Sequence, residues 1–241
     1  MEELGLAGRR VLVTGAGSGI GLATSGFLAR HGAAVAALDR DTTRCAELGV
    51  AHAATCDVTD ADGVEAAVAG VAEALGGLDV LIHAAGITRE ARTDVRDLSE
   101  ESFRAVLDVN VVGSFLVARA VARVMVPAGA GLIVLIGSGA GVLGSSSSIP
   151  YGASKGAVNG LALTLTEHLK GHGIRVMNVM PAQVDTPLVH RSLATGEEHG
   201  ADPAVAERFK ASMVPAADVG RAIGMLASPL LSHLRGPVLT R

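Results

Sequence analysis

Tyr151 is the only tyrosine in a 241-residue chain that has four phenylalanines and no tryptophan, and Lys155 follows it by four residues in "YGASK". Residues four apart on a helix share a face, so this spacing would stack a phenol and an ammonium one turn apart. A phenol titrating near ~10 is too weak an acid for neutral pH, but a neighbouring ammonium stabilises the phenolate and lowers that pKa. Such a pair suits general acid–base work, taking a hydroxyl proton in one direction and giving it back in the other. Each residue also has an ordinary use: a lone tyrosine is more often a packing residue, and a lone helix lysine is usually solvated. Ser138, in "IGSGAG", follows an apolar run. Its hydroxyl is suited either to a substrate oxygen with developing charge or to closing a turn.

A second group points to a phosphate-bearing ligand. In "VLVTGAGSGIGLA" the residues Gly15, Gly19 and Gly21 lie between an apolar run and a helical pattern. That spacing lets the chain turn tightly and brings a helix N-terminus to a pyrophosphate. Asp39 closes the next apolar run in "ALDR", about two dozen residues after Gly15, close to the spacing expected of an acid that binds a ribose 2′-hydroxyl. A carboxylate there would repel a 2′-phosphate, and the uncharged glycine loop offers no cation in compensation, so NAD is expected over NADP. Arg40 is the opposing feature, able to accept a phosphate or stack on adenine, or simply to be a solvated turn charge. Asp57, in "TCDVTD", suits the adenine amine or the cap of a turn equally well.

These residues need elements to hold them. Apolar runs at residues 11–14, 34–38, 51–56, 80–83, 132–136 and 175–180 read as strands covered on both faces, with a last strand at 237–240. Amphipathic stretches at 20–31, 62–75, 99–126, 151–172 and 216–227 read as helices between them. The alternation predicts an α/β fold, a single-domain doubly wound, Rossmann-like parallel sheet of about seven strands with helices on both faces. No linker divides residues 1–241. Residues 182–202, including "TGEEHGADP", show no clear period, and a substrate lid is expected over about 182–213, since long connections in compact domains tend to be functional. The serines at 145–148 read as a flexible loop or as a pocket wall. Gly152, Gly156 and Gly160 recur along one helix, each costing about 1 kcal/mol against alanine, so a close backbone approach, internal or from a subunit, should offset them.

Composition excludes several classes. The net charge of −4 has no cluster of Lys or Arg, which argues against a nucleic-acid or anionic-membrane partner. Cys45 and Cys56 have neither CxxC nor framework spacing, and the eight histidines are scattered, so buried reduced thiols and no metal are expected. The amino-terminal "MEELGLAGRR" lacks an apolar leader and "GLIVLIGSGAGVLG" is too short to span a bilayer, so a cytoplasmic protein is expected. No G-x-S-x-G elbow supports an α/β hydrolase.

Taken in order, "TGAGSGIG", the acid closing the second strand, "DV" after the third, "HAAG" after the fourth, "DVNVVGSF", "IGSGAG" and "YGASK" resemble the short-chain dehydrogenase/reductase family over nearly the whole chain. The resemblance implies an oxidoreductase that exchanges hydride between a nicotinamide cofactor and a small-molecule secondary alcohol or ketone. It implies catalysis by Asn110, Ser138, Tyr151 and Lys155, with Asn110 holding Lys155 through a water. It implies a cofactor held by Gly15, Ser18, Gly19, Ile20, Gly21, Asp39, Asp57, Val58, Ala85, Gly86, Tyr151, Lys155, Val184 and Thr186, and a homodimer or homotetramer packed through the two long helices. Three departures stand out: His83-Ala84 where the family commonly has two asparagines, Ala182 after Pro181 where it has glycine, and an ending in "RGPVLTR" without the usual acidic, glycine-rich tail. The alternative is a non-catalytic dinucleotide-binding or scaffold protein of the same fold.

Overall fold

A computed structural model describes residues 4–144, 146–200 and 202–239. Seven parallel strands form one sheet in the order β3-β2-β1-β4-β5-β6-β9. The strands are β1 (Arg10–Thr14), β2 (Ala34–Asp39), β3 (His52–Thr55), β4 (Val80–His83), β5 (Gly131–Ile136), β6 (Ile174–Met180) and β9 (Val238–Leu239), so each apolar run of the sequence is a strand to within a residue or two. Of the run expected at 237–240, Thr240 lies outside the described residues, as does Ser145 of the serine run.

Alternation along the strands builds two cores. In β1, Val11 and Val13 face one side and Leu12 the other, and their neighbours in register, Val80, Ile82 and Leu81 of β4, divide in the same way. On one side pack helices α2 (Ala61–Leu75), α4 (Gly113–Ala128) and α6 (Ile149–Leu169). Val64, Val68 and Val71 show the helical spacing that lays α2 on the sheet. On the other side pack α1 (Gly19–Arg30) and α9 (Ala216–Met225), through Phe27, Leu28, Val219 and Ile223. The strand order reverses between β1 and β4. The crevice beyond the carboxyl ends of those strands is where a doubly wound sheet binds its ligand.

Two sequence expectations are corrected. The stretch 99–126 is not one uniform helix: α3 (Glu100–Leu107) passes into a π turn at Asp108–Val112 and then into α4. The stretch Glu100–Ala128 is long and apolar enough to cross a membrane by length and composition, and half of its most apolar window is buried inside the protein. Residues 182–202 do have a period. They hold a short strand β7 (Val184–Asp185) and helix α7 (Pro187–Glu198), followed by α8 (Pro203–Ala211) and β8 (Val214–Pro215), which pairs with β7. A four-residue helix, α5 (Ala140–Leu143), precedes α6.

Candidate active site

The turn from β1 into α1 is shaped by its glycines. Gly15 has φ +68, and a Cβ there would stand 2.5 Å from the Ala85 nitrogen, so a side chain is excluded by both conformation and space. Helix α1 then opens with Ser18 as its N-cap, without a side-chain hydrogen bond and with no acidic residue in the first turn. Its exposed N–H groups are thereby left to an anionic ligand. Ser18, Gly19 and Ile20 line a cleft that runs on to Asp39, Asp57 and Val58, to Ala85 and Gly86 after β4, and to Ser138, Tyr151, Lys155, Val184 and Thr186. Gly21 lies behind it, tight against the Gly15 carbonyl. Ile87, Val109, Leu188, Val189 and Arg191 line it too. The sequence reading missed these because they sit in the π turn, in α7 and beyond the quoted motifs.

Asp39 is fixed at the mouth of the cleft. Its Oδ2 accepts from the Gly17 nitrogen at 2.9 Å and its Oδ1 from the Asp41 nitrogen at 3.1 Å. Each oxygen keeps a further lone pair for a ligand hydroxyl. Asp57 closes the following turn, its Oδ1 accepting from the Thr59 nitrogen at 2.9 Å and from its hydroxyl at 2.8 Å, and it lines the cleft as well. Those bonds, aided by the charge of Arg40, hold its carboxyl below the usual range.

The chemical end is carried by α6. Ser148 caps it by accepting from the Tyr151 nitrogen at 3.3 Å, and donates its own hydroxyl to the Arg89 carbonyl at 2.6 Å. The serine run is therefore a cap and, at Ser146–Ser148, a pocket wall. Lys155 is buried, its Nζ donating to the Ile136 carbonyl at 2.7 Å and lying 5.6 Å from the Tyr151 ring centroid. Burial lowers its pKa from 10.5 to about 8. The phenol departs from the sequence expectation: burial holds Tyr151 above its ordinary value, although the Ser138 hydroxyl beside it works in the opposite direction. Lys155 Nζ is engaged with the Ile136 carbonyl.

Asn110 is committed to the frame of the site. Its Nδ2 donates to the Ile87 carbonyl and to Ser154 Oγ, both at 2.9 Å, and its Oδ1 accepts from the Ile87 nitrogen at 2.8 Å. These bonds tie the turn after β4 to the π turn and to α6. A Cβ on Gly86 would lie 3.3 Å from Asn110 Oδ1 and 3.7 Å from Lys155 Nζ, so both groups border one small space. His83, the first departure, shares a hydrogen bond between its Nδ1 and Thr14 Oγ1 at 2.8 Å, linking β4 to β1. Burial, and next the charge of Lys155, lower its pKa to about 3, so the imidazole is neutral. Cys45 and Cys56 are buried and unpaired.

A larger hollow of about 1160 Å³ shares Ser138, Tyr151, Pro181 and Ala182 with the cleft and continues under α7 and α8. Tyr151 thus stands where two spaces meet. A phenol, a buried lysine and a hydroxyl along a cleft that runs on to the N-terminus of α1 can together move a proton at a substrate oxygen.

The chain is similar to known oxidoreductases over most of its length. A D-threitol dehydrogenase of Mycolicibacterium smegmatis is 37% identical over 195 residues, covering 78% of this chain and 74% of the relative. An NAD+-bound xylitol dehydrogenase superposes with a TM-score of 0.89 at 31% identity, covering 97% of this chain and 98% of the other. An actinorhodin polyketide ketoreductase with NADPH superposes with a TM-score of 0.86, also at 31% identity, covering 96% and 95%. The short chain dehydrogenase family matches residues 9–196, and the chain belongs to that family, a family of oxidoreductases that bind a nicotinamide dinucleotide.

Proposed function

We propose that this protein is an NAD-dependent dehydrogenase/reductase that interconverts a secondary alcohol and its ketone, with Tyr151 as general acid and base. The observation that carries this reading is the position of Tyr151 and Ser138 on the shared wall of the cleft and the larger hollow, with Lys155 buried one helical turn away. The cleft fits a nicotinamide dinucleotide, because the first turn of α1 is uncapped by side chains, carries no acid and faces the glycine turn. When bound, the dinucleotide supplies or accepts the hydride.

The protein's own residues do the rest. Ser138 donates a hydrogen bond to the substrate oxygen, orienting it and stabilising its developing charge. Tyr151 gives that oxygen a proton in reduction or takes one in oxidation. Lys155, freed from Ile136 as the site fills, stabilises the phenolate and draws its pKa down. Asn110 fixes the loop at Ile87, and its Oδ1 shares with Lys155 Nζ the space where a water can relay the proton outward. Asp39, already oriented by the Gly17 and Asp41 nitrogens, accepts the adenosine ribose hydroxyls and disfavours a 2′-phosphate. Arg191, with no ion pair among the described residues, lines the cleft as a partner for the pyrophosphate.

The segment 182–213, comprising β7, α7 and α8, closes over the substrate. Subunits associate as a homodimer or homotetramer through α4 and α6, in the cytoplasm. The reading is tested by following NADH absorbance with a panel of secondary alcohols and ketones. Turnover by wild type, and its loss to near background in Tyr151→Phe with NADH binding retained, is the expected result. A Tyr151→Phe protein turning over near the wild-type rate removes the assignment, and a protein that binds NADH but turns over nothing favours the non-catalytic alternative.

A further inference from the structure

The hollow beyond Tyr151 has an unusual charge inventory. Among the described residues lining it there is no carboxylate, and Arg92 is the single charged side chain. The Arg92 guanidinium makes no hydrogen bond or ion pair among those residues. The acids nearest in sequence are occupied elsewhere: Glu90 accepts from Ser99 Oγ at 2.8 Å, and Asp94 is paired with Arg96 at 2.9 Å.

The backbone that presents this arginine is strained and clamped. Arg92 has φ 61 and Glu90 has φ 52, the non-glycine residues of the described chain in the left-handed region. Such conformations are unfavourable for residues with a side chain and persist where the surroundings hold them. Here the surroundings do hold them. The Arg92 nitrogen donates to the Ser147 carbonyl at 2.7 Å, Ser148 Oγ donates to the Arg89 carbonyl at 2.6 Å, and His199 Nδ1 bonds the Ala91 carbonyl at 3.0 Å, with Ala91 itself buried. The turn is thus pinned both to the cap of the catalytic helix and to the end of α7. Arg92 is exposed overall, so its guanidinium borders the hollow while still reaching water.

We infer that the substrate carries a carboxylate remote from its reacting carbon, and that Arg92 binds this group, making the natural substrate a hydroxy or oxo acid. A guanidinium fork matches a carboxylate with two parallel hydrogen bonds, and in a hollow with no competing acid it selects for charge rather than only for shape. The inference rests on the function proposed above for the same site. It sets this chain apart from its D-threitol and xylitol dehydrogenase relatives, whose names denote neutral polyols.

The test uses a ladder of oxo acids, 4-oxopentanoate through 7-oxooctanoate, each against its methyl ester, with NADH as reductant. At the length that spans the hollow, kcat/KM for the acid should exceed that for the ester by about tenfold or more, the worth of a charge-assisted bidentate contact. The ratio should fall to near one in Arg92→Gln. Equal values for acid and ester at every length in wild type, or an unchanged ratio in Arg92→Gln, overturn the inference. Calorimetric titration of hexanoate and hexanamide into the protein with NADH present separates this from failure of the functional reading. If no ketone, acid or ester is turned over, the functional reading falls, while tighter binding of hexanoate that is lost in Arg92→Gln and in Arg92→Gly still upholds the anion site. Equal binding of the two overturns it.

Discussion

Lys155 carries the cost of a buried ammonium. Burial lowers its pKa from 10.5 to about 8. Between those values the unfolded chain binds a proton that the folded chain does not, so stability rises with pH across that window, and below about 8 the full penalty of the buried charge, about 3 kcal/mol, is borne. Lys155→Met should therefore melt higher than wild type near neutral pH, with the advantage shrinking as pH climbs toward 10.5, while turnover is lost. Thermal melts of both proteins across that range check it, and a variant that melts lower at neutral pH would mean that the Ile136 carbonyl satisfies the ammonium in full. Asp39 yields a prediction about cofactor choice. A 2′-phosphate against its carboxylate is a like-charge contact costing several kcal/mol, so NADH should bind at least about a hundredfold more tightly than NADPH. In Asp39→Ala the gap should narrow or reverse, because Arg40 remains in the cleft. Fluorescence titration of both cofactors against both proteins decides the matter, and equal affinities in wild type would mean that Asp39 does not face the ribose. The spacing of Tyr151 to Lys155 on one helix was legible in the sequence, but the net rise of the Tyr151 pKa was not, since burial is a property of the packed site.

The elements show which signals a sequence carries and which it hides. Apolar runs covered on both faces read as strands because every residue of a central parallel strand meets a helix. The π turn was hidden, because one inserted residue in a helix barely alters its period, although Asn110 stood out as a polar residue in an apolar stretch and now proves to be the residue on which that turn is tied. Helix α7 was missed for another reason. Its start had the proper signals, Thr186 accepting from the Val189 nitrogen at 3.4 Å and Pro187 in the first turn, but the glycine at 196 and the polar run after it outweighed them. Gly196 is buried in the helix, so packing rather than turn formation selects it there. The glycines of α6 divide likewise. Gly156 faces the Gly141 carbonyl of α5 closely and Gly152 faces Ser146, so an internal approach offsets their cost, whereas Gly160 meets nothing within 4 Å. A paired substitution separates a structural glycine from an idle one. Gly141→Ala would press a methyl into the Lys155–Gly156 backbone and should destabilise the fold and depress kcat through α6. Gly70→Ala, in the exposed face of α2 with open space around it, should raise stability by about 1 kcal/mol. Denaturant titration of both variants checks the opposite signs, and a neutral Gly141→Ala would show that α5 does not set the position of the catalytic helix.

At the scale of the whole molecule, the two faces of the sheet are filled but the outer faces of its long helices are not. Phe115 and Val112 beside α4 are each 44% exposed and Leu163 on α6 is 54% exposed. A Cβ at Gly160, one turn before Leu163, would meet nothing within 4 Å among the described residues, so no close approach there offsets its helix cost. Large apolar side chains on adjacent helices, beside a glycine that lets another backbone come close, are what a subunit contact uses. Association through this face would also brace α6, the helix that carries Tyr151 and Lys155, so oligomer and active site should fail together. Leu163→Glu places a charge in that contact. It should convert a dimeric or tetrameric wild type into smaller species in sedimentation velocity, and lower kcat at dilutions where the wild type remains assembled. A wild type that sediments as a monomer at micromolar concentration would refute the contact itself, and a Leu163→Glu protein with unchanged mass would place the interface on another face.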